Sequence, residues 1–247
     1  MDRALYIAAT GARELMRRQD VQTNNLSNAL TPGFRAEIAA QRTAPVVGGP
    51  GLRTRAYAVE STPGADMSAG AMMATGRELD VAIQGEGWFA VRTADGGEAY
   101  TRAGGFQTTA DGMLVDVAGR SVLDPNGEPI LIPPDTKVQV NTDGSIASVP
   151  EVDRVQAAQI ASLKLVNPPG NTLARGADGL FRLRQGGIAP AADGVRVAGG
   201  MLEGSNVNAV ETMVGMIAAA RHYDVQIQLM QNTDQNQRSA TQILSMT

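Results

Sequence analysis

The segment NNLSNALTPGF, residues 24–34, holds three asparagines in five positions, no charge, and then a Pro-Gly break. The residues before it have helical spacing. Leu5, Ala8, Ala12, Leu15, Gln19, Gln22 and Leu26 follow one another at alternating intervals of three and four, the seam of a helix that packs on other helices. No proline interrupts residues 1–31, so the spacing predicts one helix over that whole stretch. Proline then disfavours helix at the residue before it and glycine tolerates the turn, so the chain leaves the helix axis at Pro32, Gly33 and Phe34. A helix that packs only into its own core rarely ends in a cluster of amides. Asn24, Asn25 and Asn28 therefore read, with Leu26, as a helix ending made for contacts with neighbouring helices.

The far end mirrors this arrangement. Asn208 with Glu211 three residues later has the form of a helix cap. From there to Leu244 no proline occurs, and Met216, Ala220, Tyr223, Ile227, Met230, Asp234, Gln237, Thr241 and Leu244 again alternate spacings of four and three. The seam turns polar in its second half, where residues 226–242 carry six glutamines and two asparagines.

Between the two helices the pattern is that of strands. Tight-turn dipeptides recur at Asp95-Gly96, Asp111-Gly112, Asn126-Gly127, Asp143-Gly144, Asp178-Gly179 and Asp193-Gly194, which supply the positive φ of hairpin turns. Leu79, Val81 and Ile83 share one strand face, as do Val138 and Val140. The expected fold is α+β. Long N- and C-terminal helices pack as a coiled-coil-like bundle, and a mainly antiparallel β domain, a sandwich or barrel, is inserted between them. The boundaries read as residues 1–34 for the N-terminal helix of an inner core domain and 35–65 for an extended connector with little core-forming potential. Residues 66–203 then form a β-rich outer domain, and 204–247 the C-terminal helix of the core domain.

Composition narrows the function. The 247 residues include 43% apolar and only 4% aromatic side chains, with 28 glycines and 12 prolines, so the core is built from aliphatic residues. A net charge of −4 indicates neither nucleic-acid nor membrane affinity. Arg3, Arg13, Arg17 and Arg18 interleave with Asp2, Glu14 and Asp20, which fits a solvated helix face or inter-subunit salt bridges better than a nucleic-acid arm. The absence of cysteine removes disulfides, thiolate metal sites and cysteine nucleophiles. No apolar run approaches the roughly 20 residues that cross a bilayer, and the N-terminal segment lacks the apolar stretch of a secretory signal.

The usual chemical arrangements are missing. His222 is the sole histidine, set in a helical stretch between Arg221 and Tyr223, where packing or surface exposure explains it better than general-base work. Gly85-Glu86-Gly87-Trp88 leads from one strand into another and not into a helix, so it reads as a tight turn and not a phosphate loop. None of the Asp-Gly turns has calcium-loop spacing, and Asp66 and Glu78 form no recognisable carboxylate pair. No catalytic, cofactor-binding or metal-binding residue is assigned, no cofactor is expected, and neither nucleic acid nor a small-molecule ligand is expected as a partner.

Three separate stretches carry a family resemblance. NNLSN followed by TPGFR (24–28, 31–35), TGRELDVAIQGEGWF with YTRAGGF (75–89, 100–106), and LEGSNVN with VETMV, Met216, Ile217, Arg221 and Tyr223 (202–223) resemble, in order, the signatures of the axial proteins of the bacterial flagellum. The opening residues 1–8 and the stretch 54–64 look most like the proximal rod member, while Glu37-Ile38-Ala39-Ala40-Gln41 stands where the distal rod member has a different segment. The resemblance implies a structural subunit of the basal-body rod, exported by the flagellar type III export apparatus without a cleaved signal and assembled in the periplasm into a hollow drive shaft. It implies subunit contacts along the N-terminal seam and, at the other end, through Val210, Met213 and Ile217 as well as the seam residues. Implied partners are other copies of the chain, other proximal and distal rod proteins, and the surrounding basal-body ring.

Physical reasoning adds two expectations. Polar groups in a helical seam select one register, because an amide buried against the wrong neighbour is left unpaired; Gln19, Gln22, Asp234 and Gln237 are suited to that task. The amide-rich face of residues 226–242 is suited to line a bore through which unfolded chains pass. The alternatives are a distal rod protein of the same family and, more remotely, a coiled-coil adaptor with a β-domain head. An enzyme or carbohydrate-binding module would need a pocket of converging polar groups in the β domain.

Overall fold

A computed structural model describes residues 3–39, 41–45, 56–60, 64–133, 136–150 and 158–245. The chain divides into two compact units, one formed by Met1–Ala29, Glu37–Asp66 and Val207–Thr247 and the other by Leu30–Ala36 and Met67–Asn206.

The first unit contains helices α1 (Arg3–Ser27) and α2 (Ala209–Ser245) and strands β1 (Glu37–Ile38), β2 (Gln41–Pro45), β3 (Ala56–Glu60) and β4 (Gly64–Ala65). β1 pairs with β4 and β2 with β3, both antiparallel. The side chain of Gln226 lies over Gly11 and that of Gln22 over Gly215, so α1 and α2 run antiparallel. Small residues at these crossings bring the axes close. On this register α2 continues past the described end of α1 for its last three turns. A second side of α1 is covered by β1 and β3.

The second unit holds β5 (Met72–Ala74), β6 (Val81–Gln84), β7 (Trp88–Arg92), β8 (Glu98–Thr101), β9 (Phe106–Thr108), β10 (Leu114–Asp116), β11 (Thr136–Val140), β12 (Ser145–Pro150) and β13 (Ala158–Ser162). It continues through β14 (Leu165–Val166), β15 (Leu173–Arg175), β16 (Phe181–Leu183), β17 (Arg196–Gly199) and β18 (Met201–Glu203). The largest sheet has the order β14-β7-β8-β16-β15, and β11-β12-β13 form a meander. The remaining strands pair as β9-β10, β6-β17 and β5-β18. The core gathers Val81, Ile83, Phe89, Phe106, Ile146 and Val197 among others, with Phe89 and Phe106 edge to face at 5.2 Å.

The expected fold class is corrected by this architecture. Among the described residues there are only two α-helices against eighteen strands in seven antiparallel sheets, so the chain is mostly β and no coiled-coil-like bundle organises it. The reason lies in the seam. A coiled-coil bundle interlocks bulky knobs at each contact, whereas glutamine side chains lie over Gly11 and Gly215 where α1 and α2 cross, and strands instead of a further helix cover the other side of α1. The inserted β region is likewise several small sheets in place of one sandwich or barrel. Part of the stretch read as an extended connector forms β1–β4, while 46–55 and 61–63 lie outside the described residues.

The turn dipeptides act differently from two-residue hairpins. Gly96, Gly112, Gly127, Gly144 and Gly179 have φ between 77° and 86°, and each donates its N–H to the carbonyl three residues earlier. The glycine thus closes a type I turn, and only it takes the left-handed conformation. Asp143 and Asp178 bind the backbone N–H two residues on, at Ser145 and Leu180. Hydrogen bonds hold both carboxyls below the usual range, chiefly from the Ser145 hydroxyl and the Arg182 guanidinium respectively. Gly194 is the exception and has no positive φ.

Candidate assembly helices and a buried motif cluster

In the first unit, the N-terminal seam faces α2 of its own chain. Ala8 and Ala12 are buried, and Leu5, Leu15, Gln19, Gln22 and Leu26 are half-buried. Gln22 Oε1 is fully buried and accepts no hydrogen bond. The side toward the strands includes Glu14 and Asn25, 6% and 8% exposed.

The asparagine cluster is bonded within its own chain. Asn25 acts as a strand residue would: its Nδ2 donates to the Glu37 carbonyl at 2.9 Å and its Oδ1 accepts the Glu37 N–H at 2.8 Å. Asn28 Nδ2 donates to the Asn24 carbonyl and to Asn24 Oδ1, both at 2.9 Å, beside the bond that the Asn28 backbone N–H already makes to the same carbonyl. Exposed Asn24 makes a long contact to Glu37 Oε2 at 3.4 Å. The ladder tightens past Ser27, where the Ala29 N–H bonds the Leu26 carbonyl three residues back, so α1 ends before the Pro-Gly break.

At the start of α2 the Glu211 N–H donates to Asn208 Oδ1 at 3.2 Å, the geometry of an N-cap. The helix has two faces. Met216, Ala219, Tyr223, Ile227 and Met230 turn toward α1. On the opposite side, Val210 (71% exposed), Met213, Val214 (61%), Ile217 (56%) and Val225 (59%) form an open apolar stripe, which gives way to exposed Gln228, Gln231, Asn232 and Gln235. Ala220, Asp234 and Thr241 are also exposed, and Asp234 pairs with Arg238 at 2.8 Å. The side chains of Gln237 and Leu244 lie outside the described residues.

In the second unit, the motif stretches converge on charges that periodicity could not mark. Arg35 Nη1 sits 2.7 Å from Glu203 Oε1, and Arg102 Nη1 sits 3.0 Å from Glu203 Oε2. All three are buried, at 1%, 5% and 1% side-chain exposure for Arg35, Arg102 and Glu203. Carbonyls of Ser68 and Gly85 accept from Arg35 and Arg102, and the Gly70 N–H donates to Glu203 Oε1 at 2.9 Å. Burial pulls the Arg102 guanidinium below its ordinary value, and the Glu203 carboxylate opposes that shift. Arg102 also lies over the Trp88 ring, 5.6 Å from its centroid.

The Pro32-Gly33-Phe34 turn belongs to the same cluster. Gly33 has φ 70° and donates its N–H to the Glu203 carbonyl at 2.7 Å; a Cβ there would meet Ala103 N at 2.3 Å. Phe34 is buried beneath the Arg175 guanidinium, 4.4 Å from the ring centroid. Asn206 Oδ1 accepts the Ala36 N–H at 2.7 Å, and its Nδ2 donates to the Ser68 carbonyl at 3.0 Å. The only available sequence signal was a charge inside each otherwise apolar or glycine-rich motif: GFR, YTRAGGF and LEGSN.

Neither unit assembles a chemical site from the residues considered for one. His222 is exposed on α2, and among the described residues no group of three or more His, Asp or Glu could hold a metal ion. No described helix is long and apolar enough to cross a membrane.

Three models of known families match the chain in order. Residues 5–35 match the family model "Flagella basal body rod protein", 82–148 match "Flagellar hook protein FlgE/F/G D1 domain", and 198–243 match "Flagellar basal body rod FlgEFG protein C-terminal". The chain is 43% identical over its whole length to the whole of flagellar basal-body rod protein FlgF of Escherichia coli. It is 33% identical to FlgF of Caulobacter vibrioides, over 99% of this chain and 98% of that protein. It is 34% identical to flagellar basal-body rod protein FlgG of Agrobacterium fabrum, over 94% and 96%. The chain therefore belongs to the family of flagellar basal-body rod proteins, structural subunits of the basal body that assemble with other rod and hook proteins and are not enzymes.

Proposed function

We propose that this chain is a subunit of the proximal segment of the rod and polymerises through α1 and α2 into the wall of a hollow shaft that transmits torque. The observation that carries this reading is the outward face of α2. Its first half exposes Val210, Met213, Val214, Ile217 and Val225 in one stripe, opposite the side that already packs on α1. Contiguous apolar surface of this kind on a soluble chain marks an interaction site, and copies of other axial helices are the natural cover. Ala220, Thr241 and Leu244 belong to the same proposed interface. Gln19, Gln22, Asp234 and Gln237 would select the register, because each costs stability unless a neighbour supplies its hydrogen bonds.

The amides that follow the stripe would line the bore. Uncharged amides present to an unfolded chain neither an adhesive apolar wall nor a strong field. Gln231→Leu with Gln235→Leu should slow secretion of later axial proteins while the rod still forms; unchanged secretion counts against that role. The placement also entails delivery by the flagellar type III export apparatus without a cleaved signal, a periplasmic position, and proximity to the surrounding ring.

An epitope inserted at the exposed Asp95-Gly96 turn, located by immunoelectron microscopy on purified basal bodies, tests the placement. Label on the cell-proximal part of the rod is the expected result. Label confined to the distal part would make the chain a distal rod protein, and no label on basal bodies would overturn the reading.

A further inference from the structure

Within the first unit, a notch of about 490 Å³ opens beside the first turn of α2. Its lining includes Arg18, Gln22, Asn25, Glu37, Glu211 and Thr212. The notch is rich in acceptors that its own chain leaves unused. The Glu211 carboxylate forms no ion pair among the described residues, and Glu37 Oε2 receives only the long contact from Asn24. Arg18 lines the notch but forms no ion pair with either carboxylate. Gln22 adds a buried Oε1 that accepts nothing.

The complementary group stands on the open face of α2. Arg221 is exposed, forms no ion pair among the described residues, and lies one turn from both Ile217 and Val225 in the middle of the apolar stripe. Any assembly that covers that stripe buries Arg221. A guanidinium buried without a counter-charge is strongly destabilising, and exposed Asp224, one turn away, forms no ion pair with it, so a carboxylate on the covering surface is the fitting counter-charge. Glu211 follows Val210 in sequence, so the notch lies at the head of the helix that carries the stripe. The two residues cannot meet within one chain. They are ten residues apart on a continuous helix, about 15 Å of axial rise.

We propose that the notch receives the Arg221 side chain of a second copy of this chain, with the guanidinium held between the carboxylates of Glu211 and Glu37. The pair sets the stagger between neighbouring copies, because a shift of one helical turn would leave Arg221 buried against apolar side chains. This rests on the rod-assembly reading and names the residues that make the contact between like subunits.

The chain contains no cysteine, so an engineered pair is unambiguous. Cells lacking the native gene would express the chain with Arg221→Cys and Glu211→Cys together, and isolated basal bodies would be treated with a short bis-maleimide cross-linker, because an arginine–carboxylate pair holds its two backbones too far apart for a direct disulfide. A cross-linked ladder of the chain, absent from the dilute monomer, is the expected result, since a reagent shorter than the rise of about 15 Å between the two positions cannot join them within one helix. Incorporation without any ladder overturns the proposal. Failure of even the unaltered chain to enter basal bodies overturns the rod reading instead.

If the cysteine variant does not assemble, charge exchange decides. Arg221→Glu alone and Glu211→Arg alone should each lower the number of intact rods about tenfold or more, and the double exchange should restore them, because every copy then carries both halves. Failure of the double exchange to restore rods shows that the contact is made to a different axial protein and sinks the proposal.

Discussion

Arg35 and Glu203, from motifs near opposite ends of the chain, meet at 2.7 Å with both side chains 1% exposed. Arg102 completes a cluster of two guanidiniums and one carboxylate. Arg35 Nε and Nη2 and Arg102 Nε find no hydrogen-bond partner, so the cluster contributes uniqueness of arrangement more than net stability. Glu203→Gln should destabilise the chain by about 3–5 kcal/mol, since it leaves two buried cations without a counter-charge. Replacing all three by apolar residues of similar volume should cost less than the single change. Urea unfolding of the parent and the two variants compares them directly, and a triple variant weaker than Glu203→Gln would contradict this account.

Asn25 and Asn24 are neighbours with opposite fates. Asn25→Ala removes both hydrogen bonds to Glu37 and leaves a half-buried N–H and C=O without that partner, a cost of about 1–2 kcal/mol. Asn24→Ala touches an exposed side chain and should stay within about 0.5 kcal/mol. Amide exchange at Glu37, followed by mass spectrometry, should accelerate in the first variant and not in the second.

Gly33→Ala combines a left-handed φ of 70° with a Cβ placed 2.3 Å from Ala103 N. Both the backbone conformation and the close approach oppose a side chain, so a loss of about 2–4 kcal/mol is expected. Thermal unfolding would show it, and a melting point equal to that of the parent chain would mean the turn can relax.

Tyr100 gives a pH signature. It is fully buried, and burial pushes its hydroxyl up to about 12, against the Ala189 N–H that donates to it at 2.6 Å. The unfolded chain ionises near pH 10, so between roughly pH 10 and 12 the unfolded state holds fewer protons than the folded one. Stability from this group is complete below pH 10 and falls as pH rises through that window. Tyr100→Phe should flatten the alkaline decline in denaturant midpoint while losing one hydrogen bond at neutral pH. A decline as steep as that of the parent would assign it to other groups.

Ile217→Asp tests the open face of α2. The side chain is 56% exposed, so the monomer should keep its stability within about 0.5 kcal/mol. A carboxylate in the middle of a surface that assembly covers should nevertheless prevent incorporation. Basal bodies from cells expressing the variant, probed for the chain, would measure this, and normal incorporation would remove the stripe from the interface.

Much of the architecture follows from local rules that the sequence states directly. A three-four spacing makes α1 and α2 helical, Asn208 starts the second, and Val138 and Val140 alternate with polar residues and are buried in β11. Five of the six Asp-Gly or Asn-Gly dipeptides place the glycine at positive φ, because that preference belongs to the residue itself. The family resemblance was equally legible, since it lies in contiguous stretches. The balance between helix and strand was not. Whether α1 is covered by a helix or by β1 and β3 depends on which distant segment offers the better complementary surface, and no spacing within α1 encodes that.

The asparagines at 24–28 show the same division. Their number and position determined that α1 would end in amides instead of leucines. Only the tertiary structure decided that Asn25 turns inward to Glu37, Asn28 back onto Asn24, and that the unpaired acceptors lie one turn away, around Gln22 and Glu211. A side-chain amide bonds whatever complementary backbone reaches it. Its partner is therefore set by the strand that the folded chain brings alongside it, here β1 at Glu37, and no residue spacing encodes that.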